Sequence, residues 1–315
     1  MPKYKTFAIC GSGFIGKNLI RCLISQGYGV NVLDRNICPK EFLGKAQWVT
    51  GEFSNSEALR KTLDGVDVAF HLVSNSVPGD GAIHDAAINL VKGLSDNILL
   101  TIKFLDMCKM CDVKRVVFVS SSSVYGLQTQ IPIAESATTN PISSHGIEKL
   151  ALENYFLLYK FLYGIDVRII RLSNPYGPGQ SLFGRQGFIA ISVGRLLKHE
   201  PILLRDLGRP IRDFIYIDDV SKALTLAGTL EYGPSILNIG SNKGHSLLQV
   251  VKLLEEILGQ TIKMDQIEPK KIDIHESVLN VSLAHDCIFF NSQISMREGL
   301  VKTLEHHKLL IPKYQ

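Results

Sequence analysis

The residues most suggestive of chemistry lie near the start of the chain. Gly11, Gly13 and Gly16 form a G-x-G-x-x-G turn, with Phe14 and Ile15 inside it, between an apolar run at residues 7–10 and a helical pattern. Glycines let the backbone turn tightly and approach a pyrophosphate, whose charge then faces a helix N-terminus. The motif is weak alone, and its position between a strand and a helix is the context it requires. Asp34 ends the next strand-like run, 18 residues after Gly16. A carboxylate there accepts hydrogen bonds from an adenosine ribose 2′-hydroxyl and repels a 2′-phosphate, which favours NAD over NADP. Arg35 follows at once and partly opposes that preference. The other reactive side chains read as structural. Cys108 and Cys111 form a CxxC, but late in a helical stretch rather than at a helix N-terminus, where a thiolate is stabilised. No second CxxC completes a zinc site, and the histidines do not gather into a metal site. His71 reads as structural, and His306 and His307 as solvated. Asp218 and Asp219 read as caps of a helix over residues 220–227, since Asp is a favoured N-cap.

The elements that must position such a turn follow from the alternation of patterns. Strands are expected at residues 4–10, 29–33, 47–50, 66–72, 116–120 and 167–172. Helices are expected at 16–26, 56–63, 88–110 and 147–163. Such alternation implies right-handed βαβ units, and hence an α/β fold with a doubly wound parallel sheet of Rossmann type. The runs at 66–72 and 116–120 are nearly continuous in apolar residues, as in strands buried on both faces. After about residue 175 the pattern becomes shorter and mixed. Residues 1–175 therefore read as a dinucleotide-binding domain, joined by a strand returning within 211–242, near Asn238 and Ile239. Residues 176–315, mainly 176–205 and 243–315, read as a smaller substrate lobe.

Composition narrows the class. The chain has 315 residues, 45% of them hydrophobic and 20% charged, enough to bury a sizeable core. A net charge of +4 is too mild and scattered for nucleic acid, so basic residues at a site would serve a small anion. Six cysteines, most in or beside apolar segments with no signal peptide before them, suit reduced thiols in a cytosol. No apolar run reaches the roughly 18 residues of a membrane span. The stretch 150–163 carries Tyr155, Phe156, Tyr159, Phe161 and Tyr163, an aromatic load suited to core or to a subunit interface.

Five blocks occur in one order: Cys10-Gly-Ser-Gly-Phe-Ile-Gly16, Phe70-His-Leu72, Ser120-Ser-Ser-Ser-Val-Tyr-Gly126, Arg171-Leu-Ser-Asn-Pro-Tyr-Gly-Pro178 and Arg212-Asp-Phe-Ile-Tyr-Ile-Asp-Asp219. Together they resemble the NAD-dependent epimerase/dehydratase branch of the extended short-chain dehydrogenases, notably UDP-hexose 4-epimerases. The resemblance spans nearly the whole chain and weakens after about residue 260. It implies NAD across the C-terminal edge of the sheet and a nucleotide-diphosphate sugar in the cleft against the small lobe. By resemblance, Asp34 holds the adenosine ribose, and Glu52 and Phe53 flank the adenine. Leu72, Val73 and Ser74 line the cofactor channel, and Asn97 belongs to the cofactor set. Ser121, four residues before Tyr125, falls at the catalytic Ser/Thr. Lys149 falls at the catalytic lysine, which also holds the nicotinamide ribose. Asn174 and Arg212 fall where the diphosphate is gripped, and Ser122 and Ser123 belong to the substrate set. Relatives pair through two long helices, here 88–110 and 147–163, which implies a homodimer. A cytoplasmic role in supplying sugars for a polysaccharide follows by analogy only.

Three positions depart from the family pattern. Tyr-x-x-x-Lys is replaced by His145-Gly-Ile-Glu-Lys149, within surroundings that otherwise fit. A neutral imidazole can accept a proton, and Lys149 with the nicotinamide charge should keep it neutral. Its geometry is shorter than a phenol's. The position is compatible with an altered enzyme, an impaired variant or a silent binder. Cys10 replaces the first glycine of the family's GxxGxxG. Lys270 stands where a second diphosphate-binding arginine is expected, keeping charge but not bidentate geometry. Ser122 and Ser123 occupy the positions at which sugar dehydratases and UDP-glucuronate decarboxylases carry acids. That leaves 4-epimerisation, or reduction of a 4-keto-6-deoxyhexose on a dTDP- or GDP-sugar. Ser277 falls where epimerases set pocket size, and its smallness points to UDP-GlcNAc and UDP-GalNAc.

Overall fold

A computed structural model describes residues 3–74, 94–184, 186–268 and 274–310. Its strands are β1 (Thr6–Cys10), β2 (Gly29–Asp34), β3 (Gln47–Thr50), β4 (Val68–His71), β5 (Arg115–Ser121), β6 (Asp166–Leu172), β7 (Asn174–Tyr176), β8 (Ile202–Arg205), β9 (Ile211–Tyr216), β10 (Ile236–Ile239), β11 (Gly244–Ser246), β12 (Met264–Ile267) and β13 (Glu276–Ser277). Seven of them make one sheet in the order β10-β6-β5-β4-β1-β2-β3, every pair parallel. This is the doubly wound order, in which the strand sequence reverses beside β1 and opens a crevice at the C-terminal strand ends. The α/β class expected from the alternation is the one observed.

Alternation along each strand divides the core into two layers, because successive side chains point to opposite faces. Phe7 and Ile9 pack with Leu19, Ile20 and Leu23 of the helix Phe14–Ser25 and with Ala223 and Leu224 of the helix Ile217–Thr229. Ala8 and Cys10 face the other layer. There they meet Leu59 of the helix Ser56–Leu63, Phe104 of the helix Leu100–Met110, and Leu152 and Phe156 of the helix Ser144–Tyr163. Each fully buried aliphatic side chain contributes about 1.5–3 kcal/mol. Cys10 therefore sits in the core beneath the glycine turn, and burial pushes its thiol well up. All six cysteines are free; Cys108 is buried and Cys111 ends its helix, as the structural reading of the CxxC requires.

Several boundaries differ from expectation. The first helix begins at Phe14, two residues early, because Gly13 ends the turn as its N-cap. The helix Ser144–Tyr163 begins three residues early, because the Ser143 hydroxyl accepts from the Gly146 N–H at 3.1 Å. It ends at Gly164 with φ +70°. Of the helix expected over 88–110, residues 88–93 lie outside the described residues. Leu94–Leu99 is a π-turn and Leu100–Met110 is α-helical. Asp218 and Asp219 do not cap their helix, which starts at Ile217 after Tyr216. Asp219 instead accepts from Ser292 Oγ (2.8 Å), Gln293 N–H (3.0 Å) and Ile294 N–H (2.9 Å), tying a later loop to this helix.

The remaining strands form a smaller mixed sheet around β9, which pairs with β7 and β13 in parallel and with β11 antiparallel. A separate parallel pair joins β8 to β12. Asp213 on β9 is fully buried and accepts from the Ser241 N–H and hydroxyl, both at 2.7 Å, and from the Leu279 N–H at 3.3 Å. Burial raises its carboxyl from the ordinary value despite those bonds.

Arg115, also fully buried, locks the helix Ile217–Thr229 to the sheet. It donates to Asp166 at 2.7 Å and to the carbonyls of Ala227, Gly228, Leu230 and Glu231 at the helix C-terminus. Removing one member of a buried pair costs about 3–5 kcal/mol. Asp166 keeps 32% of its side chain in water. Arg115→Met is therefore expected at the low end, about 3 kcal/mol, read as a lower urea midpoint with unchanged slope. A midpoint within error of the parent would show that the carbonyl cluster is satisfied without the guanidinium.

Candidate active site

The glycine turn is built as a cradle. Gly11 has φ +102°, and a Cβ there would come within 3.1 Å of both the Leu72 carbonyl carbon and the Val73 nitrogen. A Cβ on Gly16 would collide with the Gly11 carbonyl oxygen. Gly13 differs: a Cβ there would meet nothing within 4 Å, so its surroundings are open. The helix Phe14–Ser25 behind it has no side-chain cap and no acidic residue in its first turn. Its N–H groups and positive dipole end thus suit an anion, and the residues fit a dinucleotide's pyrophosphate.

Asp34 stands at the end of β2 beside this turn. Its Oδ2 accepts from the Ser12 N–H and hydroxyl, both at 2.7 Å, and its Oδ1 from the Asn36 N–H (2.8 Å) and side-chain amide (2.9 Å). Burial alone would raise its carboxyl, but these bonds outweigh burial and lower it, so the group is ionised. Arg35 and Glu52 are exposed. Phe53 stands edge-on to His71 at 5.2 Å and lies 5.7 Å from Phe104. His71 is buried among these rings, with Nε2 3.0 Å from Thr101 Oγ1, and burial takes it down to about 3.

A cleft of about 620 Å³ lies along the C-terminal edge of the sheet, against the small lobe. From the sheet side it is lined by Ser121, Ser122, Ser123, His145 and Lys149, with Ile15, Leu72 and Ser74 beside the glycine turn. From the other side come Asn174, Arg212 and Ser277. Residues separated by up to 262 positions are thus brought together. Gly146 permits the approach: a Cβ there would lie 2.5 Å from the Ser123 carbonyl oxygen, so only glycine lets the helix Ser144–Tyr163 seat against the 3₁₀ turn Ser122–Tyr125. Ser121 caps that turn, accepting from the Ser123 N–H (3.2 Å) and hydroxyl (3.0 Å). His145 and Lys149 are four apart and share a helix face. Lys149 Nζ donates to the Val119 carbonyl at 2.9 Å and lies over the Phe118 ring. Burial lowers its ammonium to about 8, against the fields of Glu148 and Glu153. On the far wall, Asn174 Nδ2 donates to the Asp213 carbonyl at 2.9 Å. Ser277 on β13 pairs with Arg212 on β9.

Some residues expected at the site stand apart from the cleft. Asn97 is buried and donates to Glu148 at 2.9 Å. Lys270 lies outside the described residues. Arg205, at the end of β8, lines the cleft although nothing in the sequence singled it out. Its signal was faint: a cation seven positions before Arg212, at the end of a short strand in a stretch of mixed pattern. Among the described residues, the cleft has three cationic side chains, Lys149, Arg205 and Arg212, and no carboxylate. Its one tyrosine, Tyr176, turns its hydroxyl to the Met296 carbonyl at 3.4 Å, and burial pushes that phenol well up. No phenol there takes the place that His145 occupies.

His145 is 7% exposed, and burial takes its imidazole down to about 3, with the Lys149 ammonium acting in the same direction. It is neutral as expected, but burial rather than charge is the larger cause. The unfolded ring titrates near 6.5. Between about 6.5 and about 3 the unfolded chain therefore holds a proton that the folded chain does not, and stability falls as pH drops through that window. The imidazole nitrogens of His145 should keep neutral shifts by NMR down to about pH 4, and His145→Gln should make the acid limb of the urea midpoint less steep, leaving the part that His71 contributes. An imidazole titrating near 6 would contradict this.

The comparisons with known proteins agree with this geometry. Residues 9–240 match the model of the NAD dependent epimerase/dehydratase family. A putative UDP-glucose 4-epimerase of Methanocaldococcus jannaschii is 31% identical over 318 residues, covering 95% of this chain and 96% of the relative. A UDP-glucose 4-epimerase of Mycolicibacterium smegmatis is 28% identical over 315 residues, covering 96% and 97%. The crystal structure of a Thermotoga maritima UDP-glucose 4-epimerase with UDP-glucose superposes with a TM-score of 0.86 at 29% identity, covering 96% of this chain and 98% of that one. With its parallel sheet, glycine cradle and cationic cleft, the chain belongs to the NAD dependent epimerase/dehydratase family, and NAD is its cofactor.

Proposed function

We propose that this protein is a 4-epimerase of nucleotide-diphosphate sugars, interconverting UDP-GlcNAc and UDP-GalNAc or UDP-Glc and UDP-Gal. The observation that carries the reading is the charge of the cleft: three cations and, among the described residues, no carboxylate. Such a wall suits a diphosphate and offers no acid for eliminating water. The relatives named as UDP-glucose 4-epimerases support uridine as the nucleotide.

On this reading residues 1–175, with the return at 211–242, hold the dinucleotide, and 176–315 hold the sugar. The turn Gly11–Gly16 receives the pyrophosphate, Asp34 the adenosine ribose, and Phe53 with Glu52 the adenine edge. Leu72, Val73 and Ser74 line the cofactor channel, and Lys149 holds the nicotinamide ribose. Asn174 and Arg212 grip the sugar's diphosphate, Ser122 and Ser123 face the sugar, and Ser277 leaves room for an N-acetyl group. When bound, NAD would supply reversible hydride exchange at C4 of the sugar, which is what inversion at that carbon requires. The Ser121 hydroxyl orients the 4-hydroxyl, and neutral His145 accepts its proton. An imidazole whose conjugate acid lies at about 3 is a weak base, so proton transfer is slow. The protein pairs through its two long helices, which leave Phe161 85% and Met110 72% exposed.

Two measurements test this. Chromatography of UDP-GlcNAc incubated with the protein and with His145→Tyr should show UDP-GalNAc in both, formed about 10²-fold faster or more by the tyrosine form. Conversion by neither, with NAD bound, would overturn the epimerase reading; stoichiometric oxidation of NADH by a 4-keto sugar would replace it with reduction. Sedimentation should give a dimer that Phe161→Glu with Met110→Glu splits into monomers. A monomeric parent would remove the dimer from the proposal.

A further inference from the structure

Tyr125 is a buried phenol with no part in the chemistry proposed above. It ends the 3₁₀ turn Ser122–Tyr125, which Ser121 caps. Its hydroxyl donates to Asn238 Oδ1 on β10 at 2.7 Å. Burial holds the phenol above its ordinary value, so it stays a donor. The Arg171 guanidinium lies over its ring at 4.8 Å. Arg171 in turn meets Glu153 at 2.7 Å, on the helix that carries His145 and Lys149.

Asn238 carries the connection to the other wall of the cleft. It too is fully buried, and its Nδ2 donates to the carbonyls of Ile133 (2.9 Å) and Asn280 (3.2 Å). Ile133 is clipped to the stretch after β13. Its N–H donates to the Val278 carbonyl at 2.8 Å, and its carbonyl accepts from the Asn280 N–H at 2.9 Å. β13 ends at Ser277, which lines the cleft across from Ser121, Ser122 and Ser123. Val124, Tyr125, Ile133, Leu279 and Val281 form an apolar cluster of their own.

The Asn238 amide has one workable orientation. An amide oxygen only accepts and an amide nitrogen only donates. With its oxygen on the phenol, Asn238 gives its N–H groups to the two carbonyls, and its side chain is fully matched. Turned over, its oxygen would face those carbonyls. Without the phenol hydroxyl, Oδ1 is left buried and unpaired, an unfavourable state relieved only by loosening around it.

We infer that Tyr125 and Asn238 are positioning residues: their hydrogen bond braces the turn that carries Ser121 against the segment that carries Ser277, and so fixes the spacing of the two walls of the cleft. The brace itself needs no ligand; its effect on turnover rests on the 4-epimerase reading.

Hydrogen exchange of the full-length protein, followed by NMR without ligand, tests the brace. In Tyr125→Phe, which keeps the ring in its cluster, the Ile133 and Asn280 amides should exchange about tenfold faster or more, while Val117 within the parallel sheet keeps its rate. A change confined to residues 122–125, or an equal rise at Val117, would make the hydroxyl a local or a general stabiliser and overturn the inference. If Tyr125→Phe does not fold, Asn238→Ser, too short to reach the phenol, is read at the Ser123 amide on the opposite wall, where an unmoved rate overturns it equally. With UDP-GlcNAc, the kcat of Tyr125→Phe should fall about tenfold or more with KM within about twofold, because misplaced reacting groups slow the step while the diphosphate keeps its grip. An unchanged kcat would overturn the positioning role. Faster exchange at Ile133 and Asn280, with a parent protein that converts no UDP-sugar, would sink the epimerase reading and leave the brace standing.

Discussion

A lysine ammonium at 6% exposure is the constraint around which the cleft is arranged. A buried cation must find compensating groups within reach. Lys149 has a carbonyl from β5, an aromatic face below it and two carboxylates on its own helix. For its side chain to reach the Val119 carbonyl, the helix Ser144–Tyr163 must lie close over the sheet edge, and Gly146 makes that approach possible. His145, one turn earlier on the same face, is drawn into the same depth. Its neutrality is thus a consequence of how the lysine is seated. The Arg171–Glu153–Ser120 network fixes the helix lengthwise against β5 and β6.

The far wall of the cleft depends on a different buried charge. Asp213 binds two loops through Ser241 and Leu279 and sits next to Arg212 on β9. Because β9 pairs with three other strands, Asn174, Arg212 and Ser277 arrive at the cleft from three separate stretches of chain in a fixed register. The parallel sheet supplies one wall and this small mixed sheet the other. On one side Glu153 meets the Arg171 guanidinium and the Ser120 hydroxyl, and on the other Asp213 meets backbone and hydroxyl donors.

Much of this was legible in the chain. The parallel sheet was readable because buried strands such as residues 116–119 are continuous in apolar residues, and the glycine turn because its spacing has a steric cause. Ser121, His145 and Lys149 were found only by likeness to a family, since no periodicity links position 121 to position 149. Arg205 was missed for the same physical reason that made the small lobe obscure: strands of two to four residues carry too little pattern to show which way a side chain points. The caps went wrong where tertiary partners took the polar groups. Asp219 looked like an N-cap by residue type, but three donors from residues 292–294 engage its carboxylate. Nothing in the sequence links Glu148 to Asn97, which the fold brings within 2.9 Å of it.

The carboxylate at the end of β2 carries one further implication. Asp34 is gripped by four donors of the protein itself, two on each oxygen, from Ser12 after β1 and Asn36 after β2. It cannot rotate aside without breaking that grip. On the proposed reading, in which Asp34 holds the adenosine ribose, discrimination between the two nicotinamide dinucleotides resides in stiffness as much as in charge. A ligand that satisfies a carboxylate already oriented for it loses little freedom in docking, whereas a 2′-phosphate meets an anion that has nowhere to go.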